Sequence, residues 1–262
     1  MIDRITEQPF CQTRVMCRAV DNLELLLSQP DESVDLIYCD ILYGTGRNFG
    51  DYQDLKPIRS EIEAHYLPRI KEMHRVLKNT GSIYLQMDTR INHWLRILMD
   101  DVFGYENFKN EISWCYLSGG LSKKYFPKKH DIVLWYSKTS NYIYNKQPKP
   151  YSEKTLKRGL TKCKGDYKLF DDGTSVVDWW DDITPLLSPT CYERIGYQTQ
   201  KPKALLERII KASSNEGDTV ADYYLCSGTT CEVALELGRK FIGCDINPRA
   251  IEITKERIKR FL

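Results

Sequence analysis

Short apolar runs alternate with stretches of helical spacing along most of this chain. Val34 to Asp40 is an apolar run ending in an acid, the pattern of a central parallel strand buried on both faces. Arg59 to Leu77 places Ile62, Tyr66, Ile70, Met73 and Leu77 at helical spacing, and Asn79-Thr80-Gly81 is expected to stop it. Ser82 to Met87 predicts the next strand, Asn92 to Phe103 a helix, and Phe108 to Tyr116 a further strand. Asp131 to Ser137 is strongly β-prone and is expected to return to the sheet. Pro202 to Ser213 carries Leu205, Leu206, Ile209 and Ile210 on one helical face. From Thr219 the chain reads as a strand, then a small-residue turn (Cys226 to Thr230) and a helix (Cys231 to Leu237). A second strand, Phe241 to Cys244, follows, with Asp245 at its carboxyl end.

Strands and helices in alternation imply an α/β protein with a mainly parallel, doubly wound sheet. Two stretches interrupt the pattern. Ile41 to Tyr52 is turn-rich and is expected to be mobile. Lys138 to Pro189 has poor periodicity and abundant Lys, Tyr, Gly and Asp, and reads as an insertion rather than core. No internal repeat or low-complexity tail is visible. The organisation that follows is a first half over 1–107, a sheet return with a basic region over 108–195, and a second half over 196–262.

A chain of 262 residues can bury a full core as one α/β domain with an insertion, or as two small domains. The net charge of +2 hides a partition: Phe108 to Asp178 holds 14 Lys and Arg against 7 Asp and Glu, while the remainder is slightly acidic. A basic middle on an acidic scaffold suggests a polyanion gripped by one region, or else a solvated lysine-rich surface. The nine cysteines form no Cys-x-x-Cys pair, and several lie in apolar runs where a reduced buried thiol is the default. With no signal peptide and no apolar run long enough to span a bilayer, a reducing cytoplasm and no membrane partner are expected. Four scattered histidines give little support for a metal site.

Two places carry candidate chemistry. An acid at the end of a strand, as at Asp245, typically accepts hydrogen bonds from ribose hydroxyls, while the turn before the preceding helix presents backbone N–H groups. The short spacing and the missing Gly-x-Gly-x-x-Gly argue against a dinucleotide and for an adenosyl ligand such as S-adenosylmethionine. An ordinary strand–helix–strand unit is the plainer alternative. At the second place, the Asp40 carboxylate and the Ile41 carbonyl could accept both hydrogens of an exocyclic base amine, aiming its lone pair at an electrophilic methyl. Tyr43 would stack on the base. A strand-terminal acid beside a loop tyrosine would look the same.

Order and spacing then add a resemblance. Asp40-Ile41-Leu42-Tyr43 comes first, the basic middle next, then Gln198-Thr199-Gln200-Lys201-Pro202, Asp222-Tyr223-Tyr224-Leu225-Cys226-Ser227-Gly228-Thr229-Thr230 and Gly243-Cys244-Asp245-Ile246-Asn247-Pro248. His130 to Leu134 and Trp179 to Ile183 also fit. From about residue 13 onward the chain resembles the N4-cytosine/N6-adenine DNA methyltransferases of restriction–modification type, in their β motif order. The resemblance implies a Rossmann-like fold that uses S-adenosylmethionine. Its first half would be catalytic, its middle would recognise the target, and its last part would bind the cofactor. It implies that Asp222, Ser227, Gly228, Thr229 and Thr230 cradle the methionine end, with Cys39, Asp40, Tyr224 and Cys226 completing the cofactor set. Asp245 would hold the ribose with Asn247 nearby, and Gln200 and Lys201 would reach in from the other side. Asp40, Ile41 and Tyr43 would receive a base flipped out of double-stranded DNA, since a stacked, paired amine is out of reach. The loop Gly44 to Tyr52 would close over it. Arg47, Asn48, Lys123, Lys124, Lys128 and Lys129 would contact the DNA. Homodimers are common among similar enzymes, and a cognate restriction endonuclease is a partner that the resemblance allows but the sequence does not reveal.

Four positions depart from the family pattern. Ile41 and Leu42 replace two prolines, which would stiffen the loop and withhold N–H donors. Tyr223 replaces a proline, and Cys226 a glycine that lets backbone approach a ligand. An active enzyme with a reshaped pocket, a weakened or inactive DNA-binding relative, and an enzyme for an altered base or cofactor are all compatible with these departures. The joint survival of Asp40, Tyr43, Ser227, Gly228, Thr229, Thr230 and Asp245 favours activity. The Asp-x-x-Tyr-Gly-Thr-Gly-Arg-Asn-Phe form of the loop favours adenine N6 over cytosine N4.

Overall fold

The computed structural model describes residues 14–50, 52–116, 121–158, 171, 173–186, 191–197 and 199–262. Along the chain run β1 (Val15–Ala19), α1 (Asn22–Ser28), β2 (Val34–Asp40), α2 (Arg59–Val76), β3 (Leu77–Met87), α3 (Asn92–Phe103), β4 (Phe108–Cys115) and β5 (His130–Ser137). There follow β6 (Pro148–Lys149), α4 (Glu153–Arg158), β7 (Thr174–Ser175), β8 (Trp179–Trp180), α5 (Lys203–Ser213), β9 (Thr219–Asp222), α6 (Thr229–Glu236), β10 (Lys240–Asp245) and α7 (Pro248–Ile258). One sheet has the order β1-β10-β9-β2-β3-β5-β4-β8, and β6 and β7 form a separate two-stranded sheet. The strands from β1 to β3 are mutually parallel, β5 runs antiparallel to both β3 and β4, and β8 is parallel to β4. The expected α/β, mainly parallel, doubly wound architecture is what forms.

Alternation along β2 explains the two layers. Ile37 and Cys39 point to a core filled by Ile62, Tyr66, Ile70 and Met73 of α2 and Leu95 of α3. Leu36 and Tyr38 point to the opposite core, filled from α5, α6 and α7 by Leu205, Ile209, Val233 and Ile251. Because both faces are covered, the strand reads as a continuous apolar run, and each fully buried side chain of this size contributes about 1.5–3 kcal/mol. β2 also pairs with β9 through Leu36↔Val220 and Ile37↔Ala221, so segments far apart in sequence become neighbours. The carboxyl ends of β2, β9 and β10 then share one edge, where open α/β sheets place their ligands.

Several elements differ from expectation. β1 and α1 were not predicted; β1 pairs along β10, and Asp21 caps α1 by accepting from the Leu23 N–H at 2.8 Å. Asn79-Thr80-Gly81 does not separate helix from strand but lies inside β3, which begins directly after α2. A Cβ at Gly81 would come within 2.8 Å of the Asp35 carbonyl, so glycine lets β3 pass close to β2 there. The stretch 138–189, expected to be an insertion outside the core, supplies the edge strand β8 and the buried Trp180 and Ile183. Trp114 Nε1 donates to the Ile183 carbonyl at 2.8 Å, and Arg208 donates twice to the Asp182 carboxylate. A two-residue strand is too short to show periodicity, so Trp179 to Ile183 matched a motif without being placed in the core. Within that stretch, 159–170, 172 and 187–189 lie outside the described residues. Among the described residues no helix is long and apolar enough to cross a membrane, and the described cysteines are free thiols.

Tyr223 shows how one departure from the family pattern is absorbed. Its ring is buried, and its hydroxyl donates to Gln29 Oε1 at 2.6 Å. Its N–H points at Cys39 Sγ at 3.5 Å, and its carbonyl accepts from Asn22 Nδ2 at 3.1 Å. Tyr223→Phe is expected to cost about 1 kcal/mol in urea unfolding, the usual worth of a buried hydrogen bond. Tyr223→Pro should cost about 3–5 kcal/mol, because it empties a large core position. Equal stability of the proline variant and the native protein would refute this account.

Candidate active site

A cavity of about 640 Å³ opens at the carboxyl edge of β2, β9 and β10. Asp40, Ile41 and Tyr43 line it from the first half of the chain; Gln200, Lys201, Tyr224, Cys226 and Asp245 line it from the second. The remaining cofactor candidates stand behind this wall. Cys39 faces the core, and Asp222, Ser227, Thr229 and Thr230 are buried. Asn247 caps α7, its side chain accepting from the Arg249 N–H at 3.0 Å. Gln200 is engaged at both ends, its Nε2 donating to the Glu193 carbonyl at 2.7 Å and its Oε1 accepting from the Ile195 N–H at 2.9 Å.

Asp40 is placed by the last residue of β2, and its neighbour continues the ladder. The Ile41 N–H donates to the Gln86 carbonyl at 3.1 Å, so the donor restored by losing a proline is consumed by β3 rather than turned into the cavity. Lys201 Nζ donates to Asp40 Oδ2, and the Tyr43 hydroxyl lies 2.8 Å from Asp40 Oδ1. Burial pushes the Asp40 carboxyl above its ordinary range, opposed by the Lys201 ammonium and by Tyr43. Burial works to lower the pKa of Lys201, and the Asp40 and Asp131 carboxylates outweigh it, so its ammonium is held. The Lys201 ammonium also lies 5.6 Å from the centre of the Tyr43 ring.

The glycine-containing turn is built on Asp222. Its Oδ1 accepts from the Tyr224 N–H at 3.0 Å and its Oδ2 from Thr230 Oγ1 at 2.6 Å. Burial drives its pKa up to about 7, against those two hydrogen bonds. Cys226 takes a left-handed conformation (φ 49°), and its N–H donates to Asp245 Oδ2 at 2.9 Å. Gly228, also left-handed (φ 72°), starts α6, and any Cβ there would collide with Thr254.

The loop expected to be mobile is a hydrogen-bonded hairpin. Gly46 N–H donates to the Leu55 carbonyl at 2.8 Å and Asp54 N–H to the Arg47 carbonyl at 2.9 Å. The rings of Phe49 and Tyr52 stack at 5.0 Å. Its anchor is the buried Asp54, which accepts from the N–H groups of Gly44 (3.1 Å) and Thr45 (2.7 Å) and from the Thr45 hydroxyl. Arg47 and Asn48 are exposed on this hairpin, while Thr45 and Gln53 line the cavity. Lys123, Lys124 and Lys128 are exposed and Lys129 half-buried on the segment joining β4 to β5, whose roots Tyr116 and Asp131 also line the cavity.

Sequence reasoning missed four of these residues: Asp54, His65, Tyr116 and Asp131. His65 lies 3.1 Å from the Tyr224 hydroxyl, and burial, with Arg69 nearby, lowers its pKa to about 4, leaving a neutral imidazole. Nothing in its local sequence marks it. Asp131 opened a β-prone run and could have been suspected as a charge at the start of an otherwise apolar strand.

A family model described as DNA methylase, of the N6/N4 methyltransferase type, matches residues 34–256. The DNA adenine methyltransferase YhdJ of Escherichia coli (strain K12) is 34% identical over 246 residues, spanning 91% of this chain and 80% of its own. The type II methyltransferase M.HpaI of Haemophilus parainfluenzae is 32% identical over 94% of this chain and 74% of its own. Among solved structures, the cytosine-N4-specific PvuII DNA methyltransferase shares the fold with a TM-score of 0.65 at 20% identity, covering 94% of this chain and 88% of that one. The M1.HpyAVI–SAM complex shares it with a TM-score of 0.60 at 19% identity, over 93% and 98% of the two chains.

The raised Asp222 pKa has a consequence for stability. A carboxyl titrating near 7 when folded and near 3.8 when unfolded stabilises the protonated fold, and that contribution is lost as pH rises through 7. Asp222→Asn keeps the shape without the charge. Its stability relative to the native protein should therefore improve between pH 4 and 8, by on the order of 4 kcal/mol. Thermal unfolding across that range reads the effect, and a pH-independent difference would contradict it.

Proposed function

The chain belongs to the N6/N4-type DNA methylase family, and from that premise we propose that it transfers the methyl group of S-adenosylmethionine to adenine N6 of a base swung out of duplex DNA. The observation carrying this reading is that one cavity joins Asp40 and Tyr43 to Lys201, Tyr224, Cys226 and Asp245. The fit of a polar ligand is supported by Thr199, which lines the cavity and whose Oγ1 is buried without a hydrogen-bond partner. Asp245 would hold the ribose, and Tyr224 and the Cys226 turn the rest of the ligand.

S-adenosylmethionine supplies an electrophilic methyl on a sulfonium. The chain's own residues position the acceptor. Asp40 and the Ile41 carbonyl accept the two amine hydrogens and draw the lone pair out of conjugation, and Tyr43 packs on the ring. Lys201 neutralises Asp40 while the site holds no base, and the incoming amine takes its place as donor. Most of the acceleration then comes from alignment and from polar groups already in place. Adenine is favoured over cytosine by the aspartate at position 40 and by the relative named as an adenine methyltransferase. The DNA itself is gripped by Arg47 and Asn48 on the hairpin and by Lys123, Lys124, Lys128 and Lys129, with 108–195 as the recognition region. A homodimer, and pairing with a cognate restriction nuclease, extend the reading; the latter draws on relatives named type II methyltransferases.

The test is transfer of labelled methyl from S-adenosylmethionine to mixed-sequence duplex DNA, followed by nucleoside digestion. Label is expected in N6-methyladenine, and Asp40→Ala should reduce it about a hundredfold or more. Label in N4-methylcytosine would change the acceptor. No label, despite binding of cofactor and DNA, would favour a binding-only relative.

A further inference from the structure

Because β4 runs parallel to β2 and β3, its carboxyl end joins the edge on which the cavity opens. The chain leaves the sheet there at Tyr116, whose N–H donates to the Lys129 carbonyl at 2.9 Å, and returns along β5 through Asp131. Tyr116 and Asp131 both line the cavity, so the connection between them projects from its rim. On that projection Leu121 is 93% exposed, Tyr125 67% and Phe126 96%, with the exposed Lys123, Lys124 and Lys128 set among them. Single apolar side chains on a surface need no explanation. Three close together, interleaved with cations at the mouth of a site, suit a partner that is anionic outside and apolar within. Duplex DNA is such a partner, with phosphates on its surface and base faces wherever the stack is opened.

Phe126 is the best placed of the three. Pro127 keeps the residue before it out of the helical region. The Ser122 hydroxyl turns the chain just ahead, accepting from the N–H groups of Lys124 at 3.2 Å and Tyr125 at 3.3 Å. The ring therefore stands out from a constrained backbone. Asp131 follows five positions later, so Phe126 is at most about 17 Å from the cavity wall. Tyr192 is comparably exposed but sits between Cys191 and Glu193, with no run of lysines beside it.

We infer that Phe126 is a wedge: when the target base leaves the duplex for the cavity, this ring enters the stack at the vacated position, while Lys123, Lys124 and Lys128 hold the flanking phosphates. The inference deepens the methyl-transfer reading above and rests on it. Extruding a base strips its two neighbours of a stacking partner, and that loss is part of the cost of making the amine accessible. An aromatic ring restores contact to both exposed base faces, whichever bases they are, so the wedge lowers the cost without reading sequence. It acts on the opened DNA and touches neither the methyl donor nor the amine, which makes Phe126 a positioning residue.

The probe is a mixed-sequence duplex in which one nucleotide lacks its base, a hole of the kind the wedge would fill. It is titrated against the full chain beside the intact duplex. The native protein should bind the abasic duplex about tenfold more tightly. Phe126→Ala should abolish most of that preference with affinity for the intact duplex near native, and Phe126→Trp should keep it. Lys124→Ala should instead weaken binding to both duplexes alike and flatten the salt dependence. Both side chains are exposed, so none of these changes threatens the fold. In single-turnover methyl transfer at a mapped target base, Phe126→Ala should be about tenfold slow when the target is paired. It should regain the native rate when the target faces an abasic position, since an unpaired base leaves the stack easily. No abasic preference in the native protein, or a preference that Phe126→Ala retains in full, would overturn the inference. So would self-association lost in Phe126→Ala with DNA binding untouched, which would make the β4–β5 connection a contact between copies of this chain. If the native protein transfers no methyl, the enzyme reading falls by itself, and the abasic comparison still decides whether Phe126 fills a hole in the duplex.

Discussion

The pairing of β2 with β9 is the contact on which the site depends. Only Leu36↔Val220 and Ile37↔Ala221 define it, yet it sets Asp40 beside the turn after Asp222 although the two are far apart in sequence. Parallel neighbours put like ends together, so the acids closing β2, β9 and β10 converge on one edge without any dedicated loop. Asp35 reinforces the seam from the opposite end, accepting from the Thr219 N–H at 2.9 Å and from Lys78 Nζ. Both hydrophobic layers press on the same strands, which lets the seam be short.

Convergence of acids in a low-dielectric wall has a cost, and the chain meets it in three different ways. Asp40 takes a cation from Lys201, Asp222 takes a hydroxyl and an N–H and titrates near 7, and Asp245 takes backbone donors from Cys226 and Asn247. These solutions differ in how readily they can be exchanged. Thr230 and Tyr224 are parts of the scaffold and cannot leave Asp222, whereas the lysine at Asp40 is a flexible side chain whose place another donor can take. The acid with the exchangeable partner is the one at which an amine would bind.

The sheet was legible because its strands are long or wholly apolar: Val34 to Asp40 and Asp131 to Ser137 declare themselves by composition alone. The site was legible only as far as motif order reached, which is why Asp40, Tyr43, Lys201 and Asp245 were named and then found around one cavity. Asp54 and His65 were invisible, since a carboxylate that ties down a hairpin and a neutral histidine against Tyr224 depend on chain folding that no local pattern encodes. Trp180 and Ile183 were matched as part of a motif but not placed in the core, because a two-residue strand has no period to detect. Asp131 was partly visible: a charge beginning an apolar strand is costly, and the cost implies partners that sequence cannot name.

The departures from the family pattern separate backbone requirements from side-chain requirements. Ile41 uses its extra N–H to bond Gln86, and Tyr223 fills the core and bonds Gln29, so the scaffold absorbs both departures although each residue also lines the cavity. Cys226 keeps the left-handed conformation that a glycine would adopt, at a cost of about 1–2 kcal/mol for a residue with a Cβ, because its N–H is held by Asp245. Two residues later the same substitution could not be absorbed, since a Cβ at Gly228 would run into Thr254 of α7. A strained φ can be offset by one good hydrogen bond, whereas a filled volume cannot, and that difference explains why this turn has lost one glycine of the pattern and kept the other.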